Sequence, residues 1–154
     1  MNSSEVRLGF AEVEAALERD GVYAAMTDGG SMRPLFRTHR DVVMIKPLTD
    51  EPQRYDAVLY RLGDKYVLHR VIGYDKSGGV YIIRGDNTFV KERVPREAIV
   101  GVLSAYRRGS SYKSVDALSY KVYCRVWNFI YPVRFLVHKC RLCLGRVKRR
   151  IIKK

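Results

Sequence analysis

The stretch Asp56–Tyr74, DAVLYRLGDKYVLHRVIGY, carries two runs rich in Val, Leu, Ile and Tyr on either side of a Gly63-Asp64 turn signal. Runs of this composition bounded by turn residues form strands, and a short polar turn between two of them makes an antiparallel hairpin. Outward from this pair, the same texture recurs at Val22–Met26, Asp41–Lys46, Val80–Arg84 and Ile99–Tyr106. Asp28-Gly29-Gly30, Ser77-Gly78-Gly79 and Gly85-Asp86-Asn87 punctuate these runs, so adjacent strands are expected to pair as hairpins. The reading is a mainly β domain of antiparallel sheets over residues 22–107.

A helical period brackets that domain on both sides. Within residues 1–21, Leu8, Val13, Ala16 and Leu17 share one face, Ser3 and Ser4 can cap the start, and Gly21 supplies a left-handed stop. One leading helix to Asp20 is predicted. Within residues 108–154, apolar side chains recur at Leu118, Val122, Val126, Ile130, Val133, Val137, Cys140, Leu144, Val147 and Ile151, close to the helical repeat of about 3.6. Pro132 is expected to kink or divide this amphipathic tail.

The chain of 154 residues is long enough to bury a core, and 47% hydrophobic content excludes a disordered polymer. Its net charge of +13 resides entirely in the tail: residues 1–103 hold 15 basic and 15 acidic groups, whereas residues 104–154 hold 14 basic groups against Asp116 alone. Cys124, Cys140 and Cys143 also lie there. An odd count confined to the tail gives no disulfide framework and points to a reducing, cytoplasmic setting. Cys140 and Cys143 form a CxxC with only His138 nearby, so no metal site is expected. No signal sequence or N-terminal anchor is read, and the apolar stretch Val126–Val133 falls far short of the roughly 20 residues that span a bilayer.

Three segments carry chemistry: Gly29-Gly30-Ser31-Met32-Arg33-Pro34, Val67-Leu68-His69-Arg70-Val71-Ile72, and Arg84-Gly85-Asp86-Asn87. Together they supply a hydroxyl on a tight glycine turn, an imidazole to take its proton and a carboxylate to orient that imidazole. In a strand His69 shares its face with Val67 and Val71, an apolar setting that favours the neutral, proton-accepting ring. His39 lies in a charged loop and is read as solvated, His138 as chemically idle, and Lys65 as part of a hairpin turn.

In order along the chain, Gly29–Pro34, Tyr55-Asp56-Ala57-Val58-Leu59-Tyr60-Arg61, Tyr66–Gly73, Arg84–Asn87 and Ile99-Val100-Gly101-Val102-Leu103 resemble the type I signal peptidase superfamily, which also contains the self-cleaving SOS-type repressors. The resemblance covers Val22 to Leu103. It implies a signal-peptidase-like catalytic domain of coiled antiparallel sheets and a serine endopeptidase needing no cofactor. Histidine before Arg70-Val71, where the bacterial branch has lysine, makes the chain similar to the archaeal and endoplasmic-reticulum branch. By that resemblance Ser31 is the nucleophile, His69 the general base and Asp86 the supporting acid, with Glu92 standing where that branch often has a second aspartate. Gly29 offers no side-chain hydroxyl to an oxyanion, which leaves that task to the backbone N–H of Ser31. Without an anchor, processing of ordinary secreted proteins is not expected. With 30 residues before Ser31 and no Ala-Gly bond there, neither is self-cleavage.

The expected partner is therefore a peptide or precursor-protein substrate. For the tail three readings stand open: an apolar face packed on the β domain, a peripheral contact with an anionic membrane surface at the cytosolic face, or a nucleic-acid contact, which ranks third. The aromatic residues Tyr120, Tyr123, Trp127, Phe129, Tyr131 and Phe135 tilt the reading toward the membrane. The rival functions are a non-catalytic binding module of the same fold and a nucleic-acid-binding regulator.

Overall fold

The computed structural model describes residues 5–6 and 10–152. Along the chain come β1 (Glu5–Val6), α1 (Phe10–Asp20), β2 (Tyr23–Met26), β3 (Asp41–Pro47), β4 (Ala57–Leu62), β5 (Lys65–Asp75), β6 (Val80–Arg84), β7 (Glu92–Pro95), β8 (Ile99–Arg108), β9 (Ser111–Ser114), α2 (Leu118–Phe129) and α3 (Tyr131–Ile152). Strand pairing is antiparallel throughout, in the order β2-β3-β8-β4-β5-β6-β7, with β1 beside β5 and β9 beside β8. The fold is mainly β, and all six predicted runs are strands.

The additional strands β1, β7 and β9 have two to four residues each, too short for alternation to register. Two sequence expectations about pairing are corrected. Consecutive strands β3 and β4 are not neighbours, because β8 lies between them and pairs Leu103 with Ile45 and Val102 with Val58. β2 and β3 do pair, but residues 27–40 connect them as a long loop rather than a tight turn. The N-terminal reading shifts as well: the helix starts at Phe10, behind a strand, while Ser3, Ser4 and Leu8 fall outside the described residues. Its stop is as expected, since Gly21 has φ of +66° and its N–H donates to the Leu17 carbonyl at 3.1 Å.

Strands β4 and β5 are buried on both faces, and the period-2 alternation sorts their side chains into two cores. Ala57, Leu59, Tyr66 and Leu68 join Val13 and Leu17 of α1 with Met32, Phe36, Ile45 and Leu103. Val58, Tyr60, Val67 and Val71 join Tyr81, Ile83, Val94 and Ile99 on the other side. Full burial of each such apolar side chain is worth about 1.5–3 kcal/mol. A one-residue slip in this hairpin would exchange the two sets, so the register Val58↔His69 and Tyr60↔Val67 is strongly specified.

The tail divides at Ile130, and Pro132 takes the second position of α3, where a missing N–H disturbs no intrahelical bond. The sequence left open whether the tail packs on the β domain, and in α2 it is not the periodic apolar stripe that does so. Tyr120 and Cys124 enter the first core, whereas Leu118, Val122 and Val126 of the periodic stripe stay exposed, as does Phe129 at 85%. Together with β9, which pairs with β8, α2 carries the β domain's packing well past residue 107. Among the described residues no helix is long and apolar enough to cross a membrane.

Candidate active site

Ser31 sits in the β2–β3 loop, which Met32, Leu35 and Phe36 pin into the first core. One segment distant in sequence holds it in place. The Asn87 N–H donates to the Ser31 carbonyl at 2.6 Å, and the Asn87 side-chain amide donates to the Gly30 carbonyl at 3.2 Å. Gly85 lies between Ser31 and His69. A Cβ there would stand 2.8 Å from the Ser31 carbonyl oxygen and 3.0 Å from Nε2 of His69, so the approach of these two segments requires glycine. The Gly-Asp-Asn box thus does more than turn the chain.

His69, 3% exposed, lies on β5 with Val67 and Val71 on the same side, as its spacing predicted. Its Nδ1 is 3.0 Å from Oε2 of Glu92 and 3.1 Å from the Tyr60 hydroxyl, which donates its own proton to the same carboxylate oxygen. A carboxylate can only accept, so Nδ1 carries a proton toward Glu92, and in the neutral form of the ring the lone pair is on Nε2. Nε2 is buried and takes no hydrogen bond among the described residues. Burial alone would push the Glu92 carboxyl up, but the hydrogen bonds from His69 and Tyr60 and the charges of His69 and Lys65 outweigh it and hold it below its ordinary value of 4.5. Burial and the Glu92 carboxylate drive Tyr60 far up, so its hydroxyl stays protonated.

Asp86 was the carboxylate expected on His69, and the structure places it elsewhere. Its two oxygens take Nε and Nη2 of Arg70, each at 2.7 Å, and Oδ2 also accepts from Tyr123 at 3.0 Å. The reason is strand alternation: His69 and Arg70 are consecutive, so they point to opposite faces of β5. Arg70, wholly buried, also donates to the Tyr55 carbonyl at 2.7 Å and reaches the Tyr120 hydroxyl and the Cys124 sulfur at 3.1 and 2.9 Å. Burial would lower the Arg70 pKa, yet the Asp86 charge and hydrogen bonds more than offset it and leave it raised. The carboxylate that faces His69 is Glu92.

The tail closes over the same region. Trp127 Nε1 and Arg134 Nη2 each donate to the Asp86 carbonyl at 2.8 Å, and Phe89 stacks on His138 at 4.3 Å between ring centroids. A cleft of about 820 Å³ is lined by Ser31, His69 and Glu92 of the β domain and by Val133, Arg134, Val137, His138 and Arg141 of α3. His138 is thus one of the residues that line the cleft. Lys65, expected in a turn, is the first residue of β5 and pairs with Leu62. His39 is exposed with Asp28 3.4 Å from its Nε2.

Sequence reasoning missed Tyr60, Arg70, Asn87 and the positional need for Gly85. Arg70 alone left a signal, as a cation on the strand face it shares with Leu68 and Tyr66, which needs a buried carboxylate to be tolerated. Ser31 and His69 do line one cleft. Among the described residues no three His, Cys, Asp or Glu side chains gather as metal ligands. No family model matches the chain, and no curated protein compared with it matches either.

Proposed function

We propose that this protein is a serine endopeptidase of the signal-peptidase-like superfamily, acting on a peptide or precursor protein without a cofactor. The observation that carries this reading is the His69 imidazole: Nδ1 is engaged by Glu92, and Nε2 is buried, unpartnered among the described residues and in the cleft that Ser31 lines. A buried nitrogen without a hydrogen bond costs about 1–3 kcal/mol, a cost that a proton-accepting role explains. In the proposed reaction Ser31 Oγ adds to the scissile carbonyl carbon while Nε2 takes the hydroxyl proton. Nε2 then protonates the departing amine as the C–N bond breaks; water, losing a proton to Nε2, adds to the acyl carbon, and Nε2 returns that proton to Ser31 Oγ as the acyl C–O bond breaks. Glu92 steadies the imidazolium in both halves, and the Ser31 N–H faces the oxyanion.

The test is covalent labelling of the full chain by a small uncharged serine-reactive phosphonate, read by intact and peptide mass spectrometry. Adduct formation at Ser31, lost in Ser31→Ala and in His69→Ala, is expected. A folded wild type that takes up no label leaves a non-catalytic binding module as the better reading. The regulator of nucleic acid has no structural feature in its favour beyond charge.

A peripheral position on an anionic membrane, at the cytosolic face, belongs to the same reading. It rests on the exposed stripe: Leu118 at 77%, Val122, Val126, Phe129, Val133 and Leu136 leave apolar surface outward on α2 and α3, within residues 104–154, which carry 14 of the chain's basic residues. Basic residues near anionic lipid contribute about 1 kcal/mol each. Co-sedimentation with phosphatidylserine vesicles at physiological salt, absent with neutral vesicles, is the expected result.

A further inference from the structure

The charges around the cleft are one-sided. Arg33 stands on the serine loop, and Arg134 and Arg141 stand on α3 across from it. Among the described residues no carboxylate pairs with any of the three. The one acid in the lining, Glu92, already serves His69 and Tyr60. Arg134 is held in place by its bond to the Asp86 carbonyl and by the Trp127 ring 3.8 Å beneath its guanidinium carbon, which leaves Nη1 buried and without a partner. Apolar Phe89, Val133 and Val137 line the same cleft. Low-dielectric walls lined by one sign of charge focus the field on whatever enters, and a planar guanidinium matches a carboxylate in two-pronged geometry.

We propose that this cleft selects peptides carrying Asp or Glu side chains beside the segment that meets Ser31, with Arg134 and Arg141 reading the acid from the helix side and Arg33 from the loop. The proposal rests on the peptidase reading only for calling that peptide a substrate. Because Arg134 ties α3 to Asp86, it serves as a positioning residue as well as a reader. Arg33 and Arg141, both exposed, offer the substitution that spares the fold.

The experiment uses the full chain with Ser31→Ala. A fluorescein-labelled octapeptide of Ala and Val with two central Glu residues is titrated by anisotropy beside its Gln counterpart. At low salt the Glu peptide is expected to bind about tenfold tighter, with the margin shrinking as salt screens it. The pair Arg33→Gln and Arg141→Gln should erase most of the margin, while Arg107→Gln with Lys113→Gln, an equal loss of charge on exposed β8 and β9 positions, should keep it. Equal binding of the two peptides overturns the proposal, and so does an equal loss in both double variants, which would mean attraction by overall charge. Loss of phosphatidylserine vesicle binding but not of peptide binding in the cleft variant would assign the arginines to lipid and overturn it too. Preference for Glu in a protein whose Ser31 never takes up the phosphonate would sink the peptidase reading and leave the acidic-peptide cleft standing.

Discussion

Asp86→Asn and Glu92→Gln should separate stability from reactivity, in the opposite sense to the assignment a sequence motif suggests. Asp86 is 2% exposed at its side chain and accepts both guanidinium bonds of an Arg70 that is 0% exposed. Asparagine keeps the shape but turns an NH2 toward a donor and leaves the guanidinium charge buried without its counter-ion. Breaking a buried pair from one side costs about 3–5 kcal/mol. For a chain of this size that lowers Tm by about 10 °C. Glu92 is 23% exposed at its side chain, so Gln there should cost about 1 kcal/mol. The same change removes the acceptor that orients Nδ1–H, and labelling of Ser31 should slow on the order of 10² to 10⁴-fold. Circular-dichroism melts and the labelling rate at a temperature where both variants are folded decide the matter. An Asp86→Asn protein as stable as wild type yet unreactive, beside a fully reactive Glu92→Gln protein, would refute the division of roles.

Gly85→Ala should slow labelling and cost about 1–3 kcal/mol, since its Cβ would press on the Ser31 carbonyl and on His69 Nε2; unchanged melting and labelling would mean the two segments do not meet there. The stability that Glu92 adds has a definite sign with pH: its folded pKa is depressed, so the contribution is present above 4.5 and is lost as pH falls through the folded value. Urea midpoints of wild type and Glu92→Gln should therefore converge in acid, and a constant gap between pH 7 and pH 3 would contradict this. Tyr60→Phe removes one donor from that carboxylate, and the acid limb of the labelling rate should move to higher pH. Phe129→Asp, at a position 85% exposed, should abolish binding to anionic vesicles with a change in Tm of no more than about 2 °C.

The mainly β character, six of the strands, the helical tail and its division near Pro132 were legible in the sequence, because each rests on local periodicity or on one residue's backbone chemistry. So was the face of His69, which follows from period-2 alternation with Val67 and Val71. Tertiary structure alone decided three things. It put β8 between β3 and β4, a pairing of residues 39 or more apart in sequence that no turn signal records. It sent Asp86 to Arg70 and Glu92 to His69, because neighbouring strand residues face opposite ways and a carboxylate goes to whichever buried donor its own segment meets. It also turned the aromatic face of α2 inward and the regular apolar stripe outward. Spacing defines a helix's faces, but which face is covered depends on what the partner offers: here a buried guanidinium and a main-chain carbonyl that want Tyr120, Tyr123 and Trp127 beside them.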